Sequence, residues 1–325
     1  MKHMLLAKPE TDAVRQAWGV PADYSSEPVD SFHGGVFKLD SANGRAYYLK
    51  RRPGPDYVMR ELALLSWLNE HGIVTAPPML THTGQPYLRR GDDVFALYPA
   101  LSGQVPTDHY APGAEERART YGMGIAHLHE RLAEYPQTPD FRLFDVRAEI
   151  TQWIEHDAQK DCARLKTGHV FDAARHLCRF LEQHQSGLPA HLIHRDIHPG
   201  NMLQADGEVC GYLDFDLACI GARLFDPCYC LTSMLVGGFG HEENRVRWLP
   251  LLTRLLSGYH SVLPLQANER QAVFSVLIAI QALFLAFSCR TDLFGAAQYN
   301  AHVIAWLLEN RQAVEIAVEL TCNAD

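Results

Sequence analysis

Apolar residues follow different patterns in the two parts of the chain. Up to Pro99, short apolar runs are separated by turn residues, which predicts β-strands at 29–32, 36–39, 46–49, 79–81 and 94–98. One helical pattern interrupts them between Tyr57 and His71, and Gly72 is suited to end that helix. The pattern therefore predicts a small sheet with one helix over residues 1–99.

Helical spacing dominates after a passage rich in glycine and proline at 101–113. The predicted helices are 115–132, 147–165, 171–184, 227–236, 245–260, 269–289 and 298–318. The longest apolar stretch, 272–287, is interrupted by Ser275 and Gln281. Since a membrane span needs roughly 20 apolar residues, we interpret this stretch as a buried helix and predict no membrane association. An α+β protein follows, with a second, helical domain over residues 100–325.

The strongest candidate for a catalytic segment is His-Arg-Asp-Ile-His-Pro-Gly-Asn at 194–201, and Asp214 follows thirteen residues after its asparagine. Phosphoryl transfer needs a carboxylate at the attacking hydroxyl and oxygen ligands that hold Mg2+ on the phosphates. In the kinase loop H-R-D-x-x-x-x-N, the aspartate receives the proton and the asparagine binds the metal with a later aspartate. Asp196, Asn201 and Asp214 stand at this spacing.

The histidines of the same segment allow an alternative. His191, His194 and His198 are spaced as zinc ligands often are. The pair Pro199-Gly200 disfavours this reading, because it breaks any helix that would bring three rings to one face.

The first part of the chain holds residues suited to a nucleotide. Gly34 and Gly35 lie between two predicted strands, where backbone amides without a neighbouring Cβ can approach phosphates. Lys50 ends the third strand, as the phosphate-binding lysine of kinases does, and Glu61 on the following helix is the candidate carboxylate to pair with it. A backbone site for adenine is expected along the fifth strand, at Ala96, Leu97 and Tyr98.

These motifs resemble the aminoglycoside phosphotransferase, choline kinase and homoserine kinase type II-like superfamily. The resemblance runs from about Phe32 to Asp226 and implies a bilobal, protein-kinase-like α+β fold that uses ATP and Mg2+. It implies that Asp196 is the catalytic base, that Asn201 and Asp214 are metal ligands, and that Asp216 assists the metal. It also implies that the helix ending at His129 supports the catalytic loop and that Asp226 braces that loop.

Departures from protein kinases indicate a small acceptor. The triplet after the hairpin is Asp-Phe-Asp at 214–216, no Ala-Pro-Glu follows, and His198 replaces the usual lysine. Too few residues separate Asp214 from the next predicted helix for a long activation loop. We expect phosphorylation of a hydroxyl on a small metabolite, with homoserine, choline or an aminoglycoside ahead of a neutral sugar. The alternatives are a bacterial Ser/Thr protein kinase of the same fold and a nucleotide-binding protein without catalysis.

The composition of the chain bears on its size class, its partners and its cellular compartment. The 325 residues are 47% hydrophobic, which is enough for two lobes with substantial cores. A net charge of −9 argues against a nucleic-acid partner. Eight scattered cysteines without a Cys-x-x-Cys pair fit a reducing compartment. The first residues contain no apolar run long enough for a signal peptide, so we expect a cytoplasmic protein.

Overall fold

The computed structural model describes residues 8–20, 25–29, 35–40, 44–168, 172 and 187–323. These residues form two compact units. The first contains the described residues up to Gly103 together with Gly211–Asp216, and the second contains the described residues of 104–210 and 217–323. The segment 211–216 joins the first unit through Tyr212, whose backbone N–H donates to the Val74 carbonyl at 2.9 Å.

The first unit is built on an antiparallel sheet of five strands in the order β1-β2-β3-β5-β4. The strands are β1 (Ser25–Pro28), β2 (Val36–Asp40), β3 (Ala46–Arg52), β4 (Leu88–Arg90) and β5 (Asp93–Pro99). Three predicted strands are thereby confirmed and extended. Of the strand predicted at 29–32, Val29 lies outside any strand and residues 30–32 are outside the described residues. The strand predicted at 79–81 is wrong, although the Met79 N–H donates to the Leu97 carbonyl at 2.8 Å.

Within the described part of the first unit, two helices accompany this sheet, α1 (Lys8–Trp18) and α2 (Pro55–Glu70). Successive side chains of a strand point to opposite faces, and β5 is buried on both. Phe95 and Leu97 pack in one cluster with Trp18 of α1. Ala96 and Tyr98 pack in another with Val58 of α2. Burial on both faces explains why β5 reads as a continuous apolar run.

The second unit is mainly helical. Its helices are α3 (Ala114–Glu134), α4 (Val146–His156), α5 (Ala158–Leu165), α6 (Phe225–Gly238), α7 (Glu242–Val262), α8 (Ala267–Arg290), α9 (Phe294–Glu309) and α10 (Arg311–Glu319). The helices predicted at 147–165 and 298–318 are each two helices, with breaks at Asp157 and Asn310. The helix predicted at 171–184 lies outside the described residues except for Asp172.

Short strands connect the helices around the predicted catalytic loop. They are β6 (Ala190–Ile193), β7 (Met202–Ala205), β8 (Glu208–Tyr212) and β9 (Cys219–Ala222). Strand β6 pairs antiparallel with β9, and β7 pairs with β8. The loop 194–201 thus leaves one strand pair and enters the other.

Helices α3 and α7 pack closely through two glycines. A Cβ on Gly122 would lie 1.9 Å from the Leu255 carbonyl oxygen, and one on Gly258 would lie 2.1 Å from the Arg119 carbonyl oxygen. Such distances are far below van der Waals contact, so only glycine permits this approach. The contact fixes α3, which carries His129.

Helix α8, with 24 residues, is the longest helix in the described part of the second unit. It is long and apolar enough to cross a membrane, yet 83% of its most apolar 18-residue window is buried within the fold. The sequence prediction of a buried helix at 272–287 is confirmed.

Candidate active site

The loop 194–201 is fixed to helix α6 by one buried carboxylate. Asp226 has no exposed surface. Its Oδ2 accepts from the His194 N–H at 2.8 Å, and its Oδ1 accepts from the Arg195 N–H at 2.8 Å. Arg195 has a backbone φ of 68°, a strained conformation that surrounding contacts must hold. The predicted bracing of the loop by Asp226 is confirmed.

Asp226 is in turn held by helix α3. His129 is completely buried, and its Nε2 lies 2.9 Å from Asp226 Oδ2 while its Nδ1 lies 2.8 Å from the Tyr259 hydroxyl. Burial by itself would raise the pKa of Asp226, but the hydrogen bond and charge of His129 and the His194 N–H lower it overall. A structural role for His129, as predicted, agrees with these contacts.

Within this loop, Asp196 lies between two hydrogen-bond donors. The Tyr229 hydroxyl donates to Asp196 Oδ1 at 2.6 Å. Asn201 Nδ2 donates to the Asp196 carbonyl at 2.8 Å and lies 3.4 Å from its Oδ2. Burial and the Asp196 charge raise the pKa of Tyr229 above its usual range, so the tyrosine is the donor. The arrangement sets a carboxylate and a neighbouring amide at fixed positions on one turn.

Tyr229 belongs to none of the motifs that mark the site in the sequence. Its ring stacks on Phe225 with centroids 5.8 Å apart and lies 5.7 Å from Phe284. The hydrogen bond to Asp196 has no signature in the sequence, because it depends on how α6 packs beside the loop.

In the first unit, Lys50 meets Asp214. The Nζ of Lys50 donates to Asp214 Oδ1 at 2.6 Å. Burial raises the pKa of Asp214, and the Lys50 charge opposes that shift. Asp214 has a backbone φ of 62°. The structure therefore brings together the predicted phosphate-binding lysine and a predicted metal ligand.

Glu61 has other partners than the Lys50 expected from the sequence. Its Oε2 accepts from Arg52 Nη2 at 2.8 Å and from the Tyr98 hydroxyl at 2.6 Å. Arg52 also donates to both oxygens of Asp216, at 2.7 and 2.8 Å. The reason is reach within the sheet: Lys50 and Arg52 share one face of β3, and the guanidinium fork can bind two carboxylates at once.

The two carboxylates that Arg52 binds have shifted pKa values. Burial raises the pKa of Glu61 even though the Arg52 charge opposes it. For Asp216, burial alone would raise the pKa, but hydrogen bonds from Arg52 and the charges of Lys50 and Arg52 lower it overall. Asp216 is therefore ionised at neutral pH.

The remaining predicted nucleotide residues are two glycines before β2 and three residues of β5. Gly34 is outside the described residues. Gly35 has a φ of 73°, and a Cβ there would lie 3.1 Å from Arg51 Cβ, so the turn entering β2 requires glycine. Ala96, Leu97 and Tyr98 are inside β5 and pair with β3, Ala96 opposite Lys50. The Leu97 carbonyl already accepts from Met79, so a backbone site for adenine at this residue lacks that acceptor.

The donor chemistry of the predicted metal ligands suits a hard cation. Asn201 commits its amide nitrogen to Asp196, which leaves its side-chain oxygen as the ligating atom, and Asp214 offers a carboxylate. Oxygen donors of this kind favour Mg2+ or Ca2+. Across the described residues, no group of three or more His, Cys, Asp and Glu side chains is arranged to hold a metal ion. The alternative zinc site at His191, His194 and His198 is thus unsupported.

Comparisons of sequence identify relatives. The homoserine kinase of Phenylobacterium zucineum (strain HLK1) is 29% identical over 247 residues, which cover 73% of this chain and 70% of that protein. The homoserine kinase of Hyphomonas neptunium (strain ATCC 15444) is 25% identical over 329 residues, which cover 93% of this chain and 92% of that protein.

Solved structures of small-molecule kinases share the fold of this chain. Amicoumacin kinase hAmiN, in complex with AMP-PNP, Ca2+ and Ami, has a TM-score of 0.69 at 17% identity, covering 94% of this chain and 92% of that one. A microcompartment-associated aminopropanol kinase has a TM-score of 0.67 at 16% identity, covering 94% and 98%. These neighbours confirm the protein-kinase-like α+β fold.

The profile of the phosphotransferase enzyme family (APH) matches residues 27–265. The chain belongs to this family, and it is an ATP-dependent kinase that phosphorylates small molecules.

Proposed function

We propose that this enzyme transfers the γ-phosphate of ATP to a hydroxyl group of a small metabolite that carries an amine, with homoserine as the first candidate. The observation that carries the proposal is the placement of Asp196 between Tyr229 and Asn201 on a loop braced by Asp226. A carboxylate in a fixed position can orient an acceptor hydroxyl and take its proton as the new bond to phosphorus forms.

We assign the binding of MgATP to three residues. Lys50 supplies positive charge to the phosphates, and Asn201 and Asp214 supply oxygen ligands to Mg2+. The metal, when bound, neutralises phosphate charge and orients the γ-phosphate. Lys50 already contacts Asp214, so the cation and the metal ligand are held beside one another before nucleotide arrives.

The acceptor class rests on two lines of support. The relatives named above are homoserine kinases, and one structural neighbour is an aminopropanol kinase. In addition, the chain from Asp214 to the start of α6 contains only a short turn at Phe215–Leu217, the four-residue strand β9 and a brief link. A protein kinase would use a longer activation segment there, so this observation favours a small acceptor over a protein.

A panel assay tests the proposal. Purified full-length protein is supplied with MgATP and, in separate reactions, homoserine, choline, 1-amino-2-propanol, an aminoglycoside, glucose and a generic protein substrate. We expect acceptor-dependent ADP release with an amino alcohol, and a phosphate ester in the product by mass spectrometry. Phosphorylation of the protein substrate alone, or no ATP turnover with any acceptor, contradicts the proposal.

We also propose a cytoplasmic location. Of the eight cysteines, the six whose side chains the structure describes form no disulfide, and five of these six are buried. Thiols persist in a reducing compartment, where ATP is also available. Activity confined to a membrane or secreted fraction of the cell contradicts this assignment.

A further inference from the structure

One guanidinium joins four elements of the first unit. Arg52, at the end of β3, is buried and donates to Glu61 of α2 and to both oxygens of Asp216. Glu61 also accepts from Tyr98 of β5. We call Arg52, Glu61, Tyr98 and Asp216 the Arg52 cluster. Charge-assisted hydrogen bonds are roughly twice as strong as neutral ones, and a bidentate pair of arginine and carboxylate also fixes their geometry, so this cluster links helix α2 firmly to the segment 211–216.

In this cluster, Arg52 pairs with Glu61, a pairing that the sequence analysis expected of Lys50. A helix carboxylate paired with the strand lysine would aim that lysine at the phosphates. Here the helix carboxylate is bound to Arg52, and Lys50 is bound to Asp214 instead. The link from α2 to the segment that bears Asp214 therefore passes through Asp216.

The segment needs such support because of its backbone. Asp214 has a φ of 62°, which costs a non-glycine residue conformational energy and persists only where neighbours fix it. Lys50 binds the Asp214 side chain itself, and two further contacts hold the backbone that follows: Arg52 binds the Asp216 side chain, and the Tyr57 hydroxyl donates to the Asp216 carbonyl at 3.0 Å. The Arg52 guanidinium also lies over the Tyr57 ring, 4.7 Å from its centroid.

We propose that Arg52 is a positioning residue that holds Asp214 ready for the metal of MgATP, and that Asp216 is its anchor rather than a metal ligand. Arg52 donates to both Asp216 oxygens and so holds this carboxylate toward itself; in the proposal, Asp216 acts by fixing the backbone two residues earlier. This inference rests on the proposed role of Asp214 as a metal ligand.

The test measures ATP binding with and without metal. The dissociation constant of ATP is determined calorimetrically for the full-length protein in excess Mg2+ and in excess EDTA, and their ratio is called the metal gain. For Arg52→Lys, which keeps the charge but loses the fork, we expect the metal gain to fall about tenfold or more. Affinity for ATP in EDTA is expected to stay within about twofold, because Lys50 is unchanged.

Asp216→Asn and the double variant separate the two roles of Asp216. If Asp216 acts only through Arg52, the Asn variant loses a similar metal gain, and the double variant is no worse than either single one. A loss that is larger for Asp216→Asn and adds to that of Arg52→Lys means that Asp216 binds metal itself, which overturns the proposal. If Arg52→Lys does not fold, Asp216→Asn decides alone: an unchanged metal gain refutes the anchor.

The neighbouring Arg51 provides the matched control. Its side chain is 53% exposed and pairs with Asp93, so Arg51→Lys is expected to leave the metal gain unchanged. A lower melting temperature of Arg52→Lys with an intact metal gain would show that Arg52 is purely structural, and this result also overturns the proposal.

Because this experiment needs no acceptor, its outcome is separate from that of the panel assay. A wild-type protein that fails to bind MgATP contradicts the proposed function. A metal gain that neither variant changes contradicts only this inference.

Discussion

At the scale of single residues, the Asp196 carboxylate carries the proposed proton transfer, and an isosteric change isolates that chemistry. We expect Asp196→Asn to keep the fold and ATP affinity while acceptor-dependent turnover falls roughly 10²–10⁴-fold, the usual contribution of a positioned acid or base. The amide still fits beside Tyr229 and Asn201 but cannot receive the proton. Steady-state ADP release with the best acceptor measures the loss. Near-normal turnover in a correctly folded variant would remove Asp196 from its role.

Tyr229 is a second residue whose contribution can be isolated. Tyr229→Phe keeps the ring packed on Phe225 and Phe284 but removes the 2.6 Å hydrogen bond to Asp196. A hydrogen bond to a charged group is worth about 1.5–3 kcal/mol, so we expect turnover to fall about 10- to 100-fold as the carboxylate loses its orientation. ATP affinity should not change. Phe284→Leu, which alters the ring contact and leaves the hydrogen bond in place, serves as the control; an equal loss there would mean that packing is the cause.

Residues whose roles depend on spacing along the chain are visible in the sequence, and residues whose roles depend on tertiary packing are not. Asp196, Asn201 and Asp214 belong to one loop and hairpin, so their intervals identify them. Arg52 is two residues beyond the expected lysine and looks like one more surface cation. Its partners are brought to it by the pairing of β3 with β5 and by the return of residues 211–216 to the first unit, and neither event leaves a local pattern.

At the scale of elements, the contact between α3 and α7 predicts a large effect from a small substitution. Gly258→Ala places a methyl group 2.1 Å from the Arg119 carbonyl oxygen, so the helices must separate. Overpacking typically costs about 1–3 kcal/mol, which exceeds the gain of up to about 1 kcal/mol from replacing a helical glycine. We expect a lower melting temperature together with lower activity, since α3 positions His129 against Asp226.

The control is the same substitution in open space. At Gly295, in helix α9, a Cβ would have no atom of the described residues within 4 Å, so Gly295→Ala should leave stability unchanged or raise it slightly. Thermal melts of both variants decide the matter. Equal effects at the two positions would show that close packing is not what distinguishes Gly258.

Secondary-structure prediction from the sequence succeeds for long elements, which repeat their apolar pattern many times, and fails for short ones. Helices α3, α7 and α8 extend over 21 to 24 residues, enough turns for helical spacing to be unmistakable. Strands β4, β6 and β9 have three or four residues, too few for an alternating pattern to stand out. The break at Asp157 escapes prediction because the buried positions of α4 and α5, among them Trp153, Ala158 and Cys162, continue at helical spacing across it.

At the scale of the whole molecule, His191 links the folded state to pH. Burial, together with the neighbouring His129, lowers the pKa of His191 from its ordinary value to about 4. Its Nδ1 lies 2.6 Å from the Leu192 carbonyl, and its buried Nε2 has no hydrogen-bond partner in the part of the chain that the structure describes. The ring also meets His129 edge-on at 4.9 Å. The folded protein therefore holds this imidazole neutral over a range in which the unfolded chain protonates it.

The direction of the pH effect follows from which state binds the proton. Above the unfolded pKa of about 6.5, both states leave His191 neutral and it makes no difference. As the pH falls below that value, the unfolded chain takes up a proton that the folded protein does not bind, so the free energy of unfolding declines by roughly 1 kcal/mol at pH 5.5 and by roughly 3 kcal/mol once the pH is below 4. We expect His191→Asn, which can still donate to the Leu192 carbonyl, to lose this part of the decline. Relative to its own value at pH 7.5, its melting temperature at pH 5.5 should fall roughly 1–2 °C less than that of the wild type. His127→Asn, at an exposed position on α3, is the control and should follow the wild type; an identical pH dependence of all three proteins would contradict the assignment to His191.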